Sequence, residues 1–387
     1  MQEKEINDIS QSISVSEEEY LARIKLNAAF PFNAEKSHSL MKIYGNASEA
    51  VKADTYSLFK DAAFTLDCAE KTARFFKRFS SEKELDLAER NDIRIIVREY
   101  SSYPERIAFI YGAPIVLYVR GNCDVFGRTA VAIVGTRTPT PYGTRMAGNI
   151  AEGLSKAGVV VVSGLARGID SAAHKATLSA KGITWAVLGS GLLKTYPKEN
   201  RRLADEIANS GGAVISEYPL TQSARQTSFP LRNRIISGLS NATTVIEGTF
   251  CSGSLITARC ALEQGREVLA LPGQADNRYS QGPHYLIKNG AWLCESAEDI
   301  LSCLNKDCKK QLVPGKREEK RPEFQIESLS PENAVIYKTI SEEKDGLTAD
   351  ELSVRCSGST VQQMSVALFE LEVAGIIFQK AGRYFAR

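Results

Sequence analysis

Between residues 129 and 304 the chain alternates short apolar, β-branched runs with longer amphipathic stretches. Residues 131–135 (VAIVG), 159–164 (VVVVSG), 184–191 (TWAVLGSG), 213–217 (AVISE), 243–248 (TTVIEG), 267–273 (EVLALPG) and 291–294 (AWLC) have the length of strands. Most are apolar at successive rather than alternate positions, which predicts strands covered on both faces, as in a parallel sheet. Residues 143–157, 170–181, 198–210, 231–240 and 253–264 lie between them and read as helices. Strands alternating with helices of this length predict a doubly wound α/β sheet with helices on both faces.

The flanks have other patterns. Residues 17–100 read as mainly helical: Leu40, Met41, Ile43 and Tyr44 precede a Gly45-Asn46 turn, and Phe75, Phe76, Phe79, Leu85 and Leu87 supply core for a small bundle. A connector with Pro104 and Pro114 and one strand, IVLYVRG, leads into the α/β region. Residues 305–330 turn to dense mixed charge with few apolar positions, the composition of a linker. Helical patterns at 334–340, 348–355 and 359–373 then precede two short strands around Ala381-Gly382, the outline of a winged helix. The expected division is a helical domain at 1–100, an α/β domain at 101–304, a linker at 305–330 and a winged helix at 331–387.

Charge sharpens this picture. The net charge is only +2, yet residues 128–240 hold 14 Lys/Arg against 6 Asp/Glu, while residues 331–387 hold 6 against 8. A polyanionic partner is expected on the central segment. No apolar run approaches the roughly 18 residues of a membrane span, and the first residues are acidic and polar, unlike a signal peptide. A cytoplasmic location is expected. Eight cysteines without a CxxC pair, and three histidines, read as reduced thiols and isolated imidazoles; no metal and no cofactor is expected.

The candidate chemistry sits where strands end. Gly135, Thr136 and Arg137 open a polar loop before a helix starting near Tyr142, an arrangement in which backbone N–H groups and a helix dipole can face an anion. The loop is neither GxGxxG nor GxxxxGK[ST], so no dinucleotide or Walker motif is present. Gly164 and Gly168 bracket Arg167, with Asp170 or Ser171 as helix cap, and His174 has no acid or nucleophile partner in view. Gly189-Ser190-Gly191 precede Lys194 and Tyr196-Pro197; a later helix carries Arg232, Asn233 and Arg234, and Ser252-Gly253-Ser254 can cap the next. In an open α/β sheet such turns gather at the carboxyl edge of the strands. Arg137, Arg167, Lys194, Arg232 and Arg234 would then form an anion track without an organised acid/base pair. An alternative is a Rossmann-like enzyme processing nucleotides or nucleoside phosphates, with Glu247 in a catalytic role. The PGGxGTxxE-type motif of such enzymes is absent. A duplex-reading transcription factor is disfavoured because residues 358–374 contain no Lys or Arg.

The ordered set GTR-x5-G, SGLARGID-x3-H, LGSG-x4-YP-x2-N, FPLRNRIISGLS, SGSLITA, ALPG and GPHYLIKNGA resembles the DNA-processing protein A (DprA/Smf) family of bacteria. The likeness runs from about residue 107 to residue 300, and the flanks resemble that family's sterile-alpha-motif (SAM)-like helical domain and winged helix. One departure is YPLTQSARQTS, where a proline-rich run usually precedes FP-x-RNR. The resemblance implies an extended Rossmann-like sheet and a non-enzymatic protein that binds single-stranded DNA. It further implies protection of incoming DNA during natural transformation, help in loading a RecA-type recombinase, and a homodimer formed through the α/β domain. It implies DNA contacts at Gly135, Thr136, Arg137, Lys194 and Arg232, Asn233 and Arg234; Arg167 joins them from the charge pattern. Leu286, Ile287 and Trp292, apolar groups in the last helix–strand unit, are the expected dimer contact.

Overall fold

The computed structural model describes residues 15–306, 330–343, 346–356, 361–373, 376–380 and 382–386. Two compact units make up the chain, Met1–Gln311 and Leu312–Arg387. Most of the charged segment at 305–330 lies outside the described residues, as does Cys308.

The first unit opens with six helices: α1 (Glu17–Ala29), α2 (Ala34–Tyr44), α3 (Ala47–Ala50), α4 (Thr55–Lys60), α5 (Leu66–Arg78) and α6 (Ser81–Glu89). Each begins at a side-chain cap, in order Ser16, Asn33, Asn46, Asp54, Thr65 and Ser80. Each cap is worth about 1 kcal/mol, which is why short helices of modest propensity start where they do. The Gly45-Asn46 turn expected from the sequence separates α2 from α3, with Gly45 at φ 89°.

The chain then builds a nine-stranded sheet. Its strands are β1 (Ile93–Val97), β2 (Val116–Gly121), β3 (Ala130–Val134), β4 (Val160–Ser163), β5 (Thr184–Val187), β6 (Ala213–Ser216), β7 (Ala242–Val245), β8 (Glu267–Ala270) and β9 (Trp292–Leu293). The spatial order is β1-β2-β6-β5-β4-β3-β7-β8-β9. The seven strands from β6 to β9 are parallel; β2 runs antiparallel to β6, and β1 to β2. The intervening helices are α7 (Glu105–Ala108), α8 (Pro141–Lys156), α9 (Ile169–Ser179), α10 (Arg201–Asn209), α11 (Ser228–Leu239), α12 (Gly253–Glu263), α13 (Gln281–Lys288) and α14 (Ala297–Lys306). The chain enters the parallel sheet at β3, winds outward to β6, then returns past β3 to β7, so the order reverses beside β3. That reversal opens a crevice at the carboxyl edge.

Strand alternation divides the core. Ala132, Val162, Trp185 and Ile215 face α7, α11, α12 and α13, whereas Ile133, Val161, Ala186 and Val214 face the opposite side. On that opposite side α8, α9 and α14 cover one half of the sheet; α10 and the N-terminal helices cover the other. This corrects the boundary expected at residue 100. β1 lies within the range read as helical, and Ile24, Leu26 and Leu58 share one core with Tyr118 and Val214 of the sheet. The six helices thus pack on one another and, through the same continuous core, form a layer on the sheet.

The second unit contains α15 (Pro331–Ser341), α16 (Ala349–Arg355) and α17 (Val361–Val373), then an antiparallel hairpin, β10 (Ile377–Lys380) and β11 (Arg383–Ala386). Thr348 and Glu351 form a capping box at α16, and Leu347 bridges to Tyr384 on the hairpin. Ile336, Ile340, Leu352, Met364, Leu368 and Leu371 form its core.

Candidate nucleic-acid interface

The turns after β3, β4 and β5 meet the start of α11 at the carboxyl edge. They enclose a cleft lined by Arg137, Gly164, Ala166, Arg167, Tyr196, Pro197, Phe229 and Arg232. Its walls are aromatic: the Tyr196 and Phe229 rings lie 5.4 Å apart, and the Arg137 guanidinium sits 5.1 Å from the Phe229 ring centre. Arg137, Arg167 and Lys194 are exposed. Arg167 pairs with Glu199 at the rim. Among the described residues no carboxylate forms an ion pair with Arg137 or Lys194, so both charges face solvent. Lys194 ends a short 3-10 turn, Leu192–Lys194, close to the cleft but outside its lining.

The backbone near α8 behaves differently from the anion cradle expected there. Thr136 N–H donates to the Glu247 carbonyl at 2.7 Å, and Thr140 N–H donates to the Glu247 carboxylate at 2.9 Å, as does the Thr140 hydroxyl. Gly135 packs against Ile169 and the Glu247 carbonyl. The protein's own buried carboxylate thus occupies the place where a phosphate was expected. Glu247 is 2% exposed and committed to this cap, which leaves it no role as an acid or base facing the cleft.

Arg232, Asn233 and Arg234 separate into three tasks. Arg232, 4% exposed, donates through Nη1 to the carbonyls of Gly164 and Val187, tying together the ends of β4 and β5 beneath the cleft. Burial lowers its pKa to about 10, with Asp170 opposing, so it is cationic at neutral pH. Gly164 must be glycine here, because a Cβ would lie 2.7 Å from Arg232 Nη2 and 2.9 Å from Asp170 Oδ2. Asn233 accepts from Arg232 Nε and donates to the Gly253 carbonyl at the start of α12. Arg234 turns away from the cleft, making a two-pronged pair with Glu217 (2.6 and 2.7 Å) and donating to the Gly112 carbonyl. Its charge is cancelled and partly buried, which removes it from the expected anion track.

His174 is buried. Thr184 Oγ1 donates to the Val161 carbonyl and accepts from His174 Nδ1–H at 2.7 Å, while Nε2 meets no donor among the described residues. Burial, reinforced by the Arg232 charge, pushes its pKa down to about 3. Among the described residues no group of three or more His, Cys, Asp or Glu could hold a metal ion, and no helix is long and apolar enough to cross a membrane.

Two features went unread in the sequence. Tyr196 and Phe229 form the aromatic wall; their signal was an aromatic residue before proline in both YP and FP, next to basic residues. Arg225, exposed on the loop before α11, sits 4.9 Å from the Phe32 ring centre of the helical layer. Of the expected dimer residues, Leu286 is 7% exposed and packs inward, Ile287 is half-buried, and Trp292 is 38% exposed on edge strand β9 beside Leu293 at 48%. Leu286 is therefore core, since its helix uses that face to cover the sheet.

Comparison with known proteins agrees with this architecture. Residues 94–305 match the family described as DNA recombination-mediator protein A. Protein Smf of Escherichia coli (strain K12) is 39% identical over 311 residues, covering 80% of this chain and 81% of its own. The crystal structure of DNA processing protein A from Streptococcus pneumoniae aligns with a TM-score of 0.62 at 33% identity, over 72% of this chain and 95% of that one. A structure of DNA processing protein A from Helicobacter pylori, concerned with its single-stranded DNA binding mode, aligns with a TM-score of 0.50 at 29% identity, over 56% of this chain and 96% of that one. With the sheet, the ordered motifs and these likenesses in agreement, the chain belongs to the DNA recombination-mediator protein A (DprA/Smf) family.

Proposed function

We propose that this protein binds single-stranded DNA in the cleft at the carboxyl edge of the sheet and acts without catalysing a reaction. The observation that carries the reading is the combination of exposed Arg137 and Lys194, neither paired with a carboxylate among the described residues, with the adjacent, mutually tilted Tyr196 and Phe229 rings. Cations that track a backbone beside aromatic faces that stack bases are the elements of sequence-tolerant single-strand binding. The Helicobacter relative, whose structure concerns single-stranded DNA, supports it. In the cell the protein protects incoming strands during natural transformation and passes them to a RecA-type recombinase in the cytoplasm. It works as a homodimer joined through the α/β domain, with Ile287, Trp292 and Leu293 at the contact. The C-terminal unit is a winged helix serving protein contacts or regulation. The test is affinity for single-stranded against double-stranded oligonucleotides at two salt concentrations. Preference for the single strand with a steep salt dependence is expected, and equal affinity for the duplex would overturn it.

A further inference from the structure

The loop joining β6 to α11, residues 217–227, leads into α11, whose Phe229 lines the cleft, and the N-terminal helical layer holds it at three points. Asn27 Nδ2 on α1 donates to the Glu217 carbonyl at 2.8 Å. Glu84 on α6 accepts from Leu220 N–H at 2.7 Å through a carboxylate that is itself buried. The Phe32 ring, from the turn between α1 and α2, lies 5.4 Å from the Tyr218 ring and carries the Arg225 guanidinium on its face.

The restraint continues into the cleft. The Leu220 carbonyl accepts from Leu193 N–H at 3.0 Å, and the Gln222 carbonyl accepts from Gly191 N–H at 2.8 Å. A Cβ at Gly191 would lie 2.0 Å from the Pro219 carbonyl oxygen and 2.4 Å from that of Leu220. The two loops therefore touch backbone to backbone, with no side chain between them to absorb a shift. Two hydrogen bonds and one residue, Leu220, connect Glu84 to the turn carrying Lys194 and Tyr196.

Packing alone would not call for a carboxylate here. Ile24, Leu26, Leu58 and Phe76 already belong to the apolar core that the helical layer shares with the sheet. A desolvated carboxylate is unfavourable unless it satisfies specific donors; Glu84 accepts from the Leu220 peptide of the loop and also faces the buried Tyr118 hydroxyl of β2. We propose that Glu84 is a positioning residue of the single-strand cleft: acting through Leu220, it fixes the 188–197 turn, so the helical layer sets where Lys194 and Tyr196 stand relative to Arg137 and Arg167. This rests on the reading of the cleft as the single-strand site.

The test uses the full chain and a fluorescent oligothymidylate. Glu84→Ala weakens binding about five- to tenfold, whereas Glu84→Gln, whose amide oxygen still accepts from Leu220 N–H, stays within about twofold of wild type. In a Lys194→Ala background, Glu84→Ala adds less than about twofold, because both changes act on the same turn. A purely structural role predicts independent, multiplicative losses, and that result would overturn the proposal. So would wild-type affinity in Glu84→Ala alongside weakened binding in Lys194→Ala. Unchanged affinity in both Arg137→Ala and Lys194→Ala would instead remove the cleft reading, and this proposal with it. If Glu84→Ala does not fold, Phe32→Ala, at a half-buried position on the same loop contact, carries the same cycle with the same outcomes.

Discussion

At the scale of single residues, the cleft sorts its cations by what surrounds them. Arg137 and Lys194 are exposed without a paired carboxylate; Arg234 is spent on Glu217. Replacing Arg137 or Lys194 by alanine is expected to flatten the slope of log affinity against log salt by roughly 0.7 each, the value for one phosphate contact on a single strand. Arg234→Ala should leave that slope unchanged in molecules that fold but cost about 3–5 kcal/mol of stability, because Glu217 is left buried and unpaired. Salt titrations and urea unfolding separate the two behaviours. His174 gives a pH prediction. It remains neutral in the fold down to about pH 3, while in the unfolded chain it protonates near the ordinary histidine value of 6.5. The unfolded state thus binds the extra proton between these limits, so stability is complete above about pH 6.5 and falls with acidification, by up to about 1.4 kcal/mol per pH unit. His174→Gln should remove that component from the pH dependence of unfolding; identical slopes in the two proteins would refute it. The residue types at these positions were plain in the sequence. Which cation was free and which was paired was not, since Glu217 and Arg234 meet only when the loop before α11 folds back.

At the scale of elements, the turns after β3, β4 and β5 converge because each parallel strand ends at the same edge of the sheet. The sequence placed those strands, and most observed ends lie within a few residues of the apolar runs that announced them. It missed β1, an antiparallel edge strand, because IRIIV directly follows a helical stretch and lies outside the strand–helix alternation. The opposite edge is β9, only two residues long, with Trp292 and Leu293 exposed. An exposed apolar edge favours pairing with a second copy. Leu293→Arg, at a position already open to solvent, is expected to shift a wild-type dimer to monomer in sedimentation without unfolding it. A wild-type protein that remains monomeric at high micromolar concentration with full DNA binding would refute the dimer itself.

At the scale of the whole molecule, the acidic C-terminal unit is expected to be dispensable for the single strand. Residues 331–387 carry more acidic than basic charge. On α17 Met364 is core and Gln363 is exposed, where a groove reader would present basic side chains. Truncation after Ser330 should keep single-strand affinity within about threefold, roughly 0.7 kcal/mol. A tenfold loss in a folded truncated protein would make that unit part of the site. The amino-acid sequence by itself determined the α/β alternation, the location of the excess positive charge and the ordered glycine turns. Those properties are local, set by periodicity and composition within short windows. Only the tertiary structure decided that the N-terminal helices form a layer on the sheet, that Glu247 fills the anion cradle near α8, and that Arg232 is a buried tie while Arg137 is free. Each of these depends on contacts between residues tens to more than a hundred positions apart, whose partners are chosen by how the layers pack.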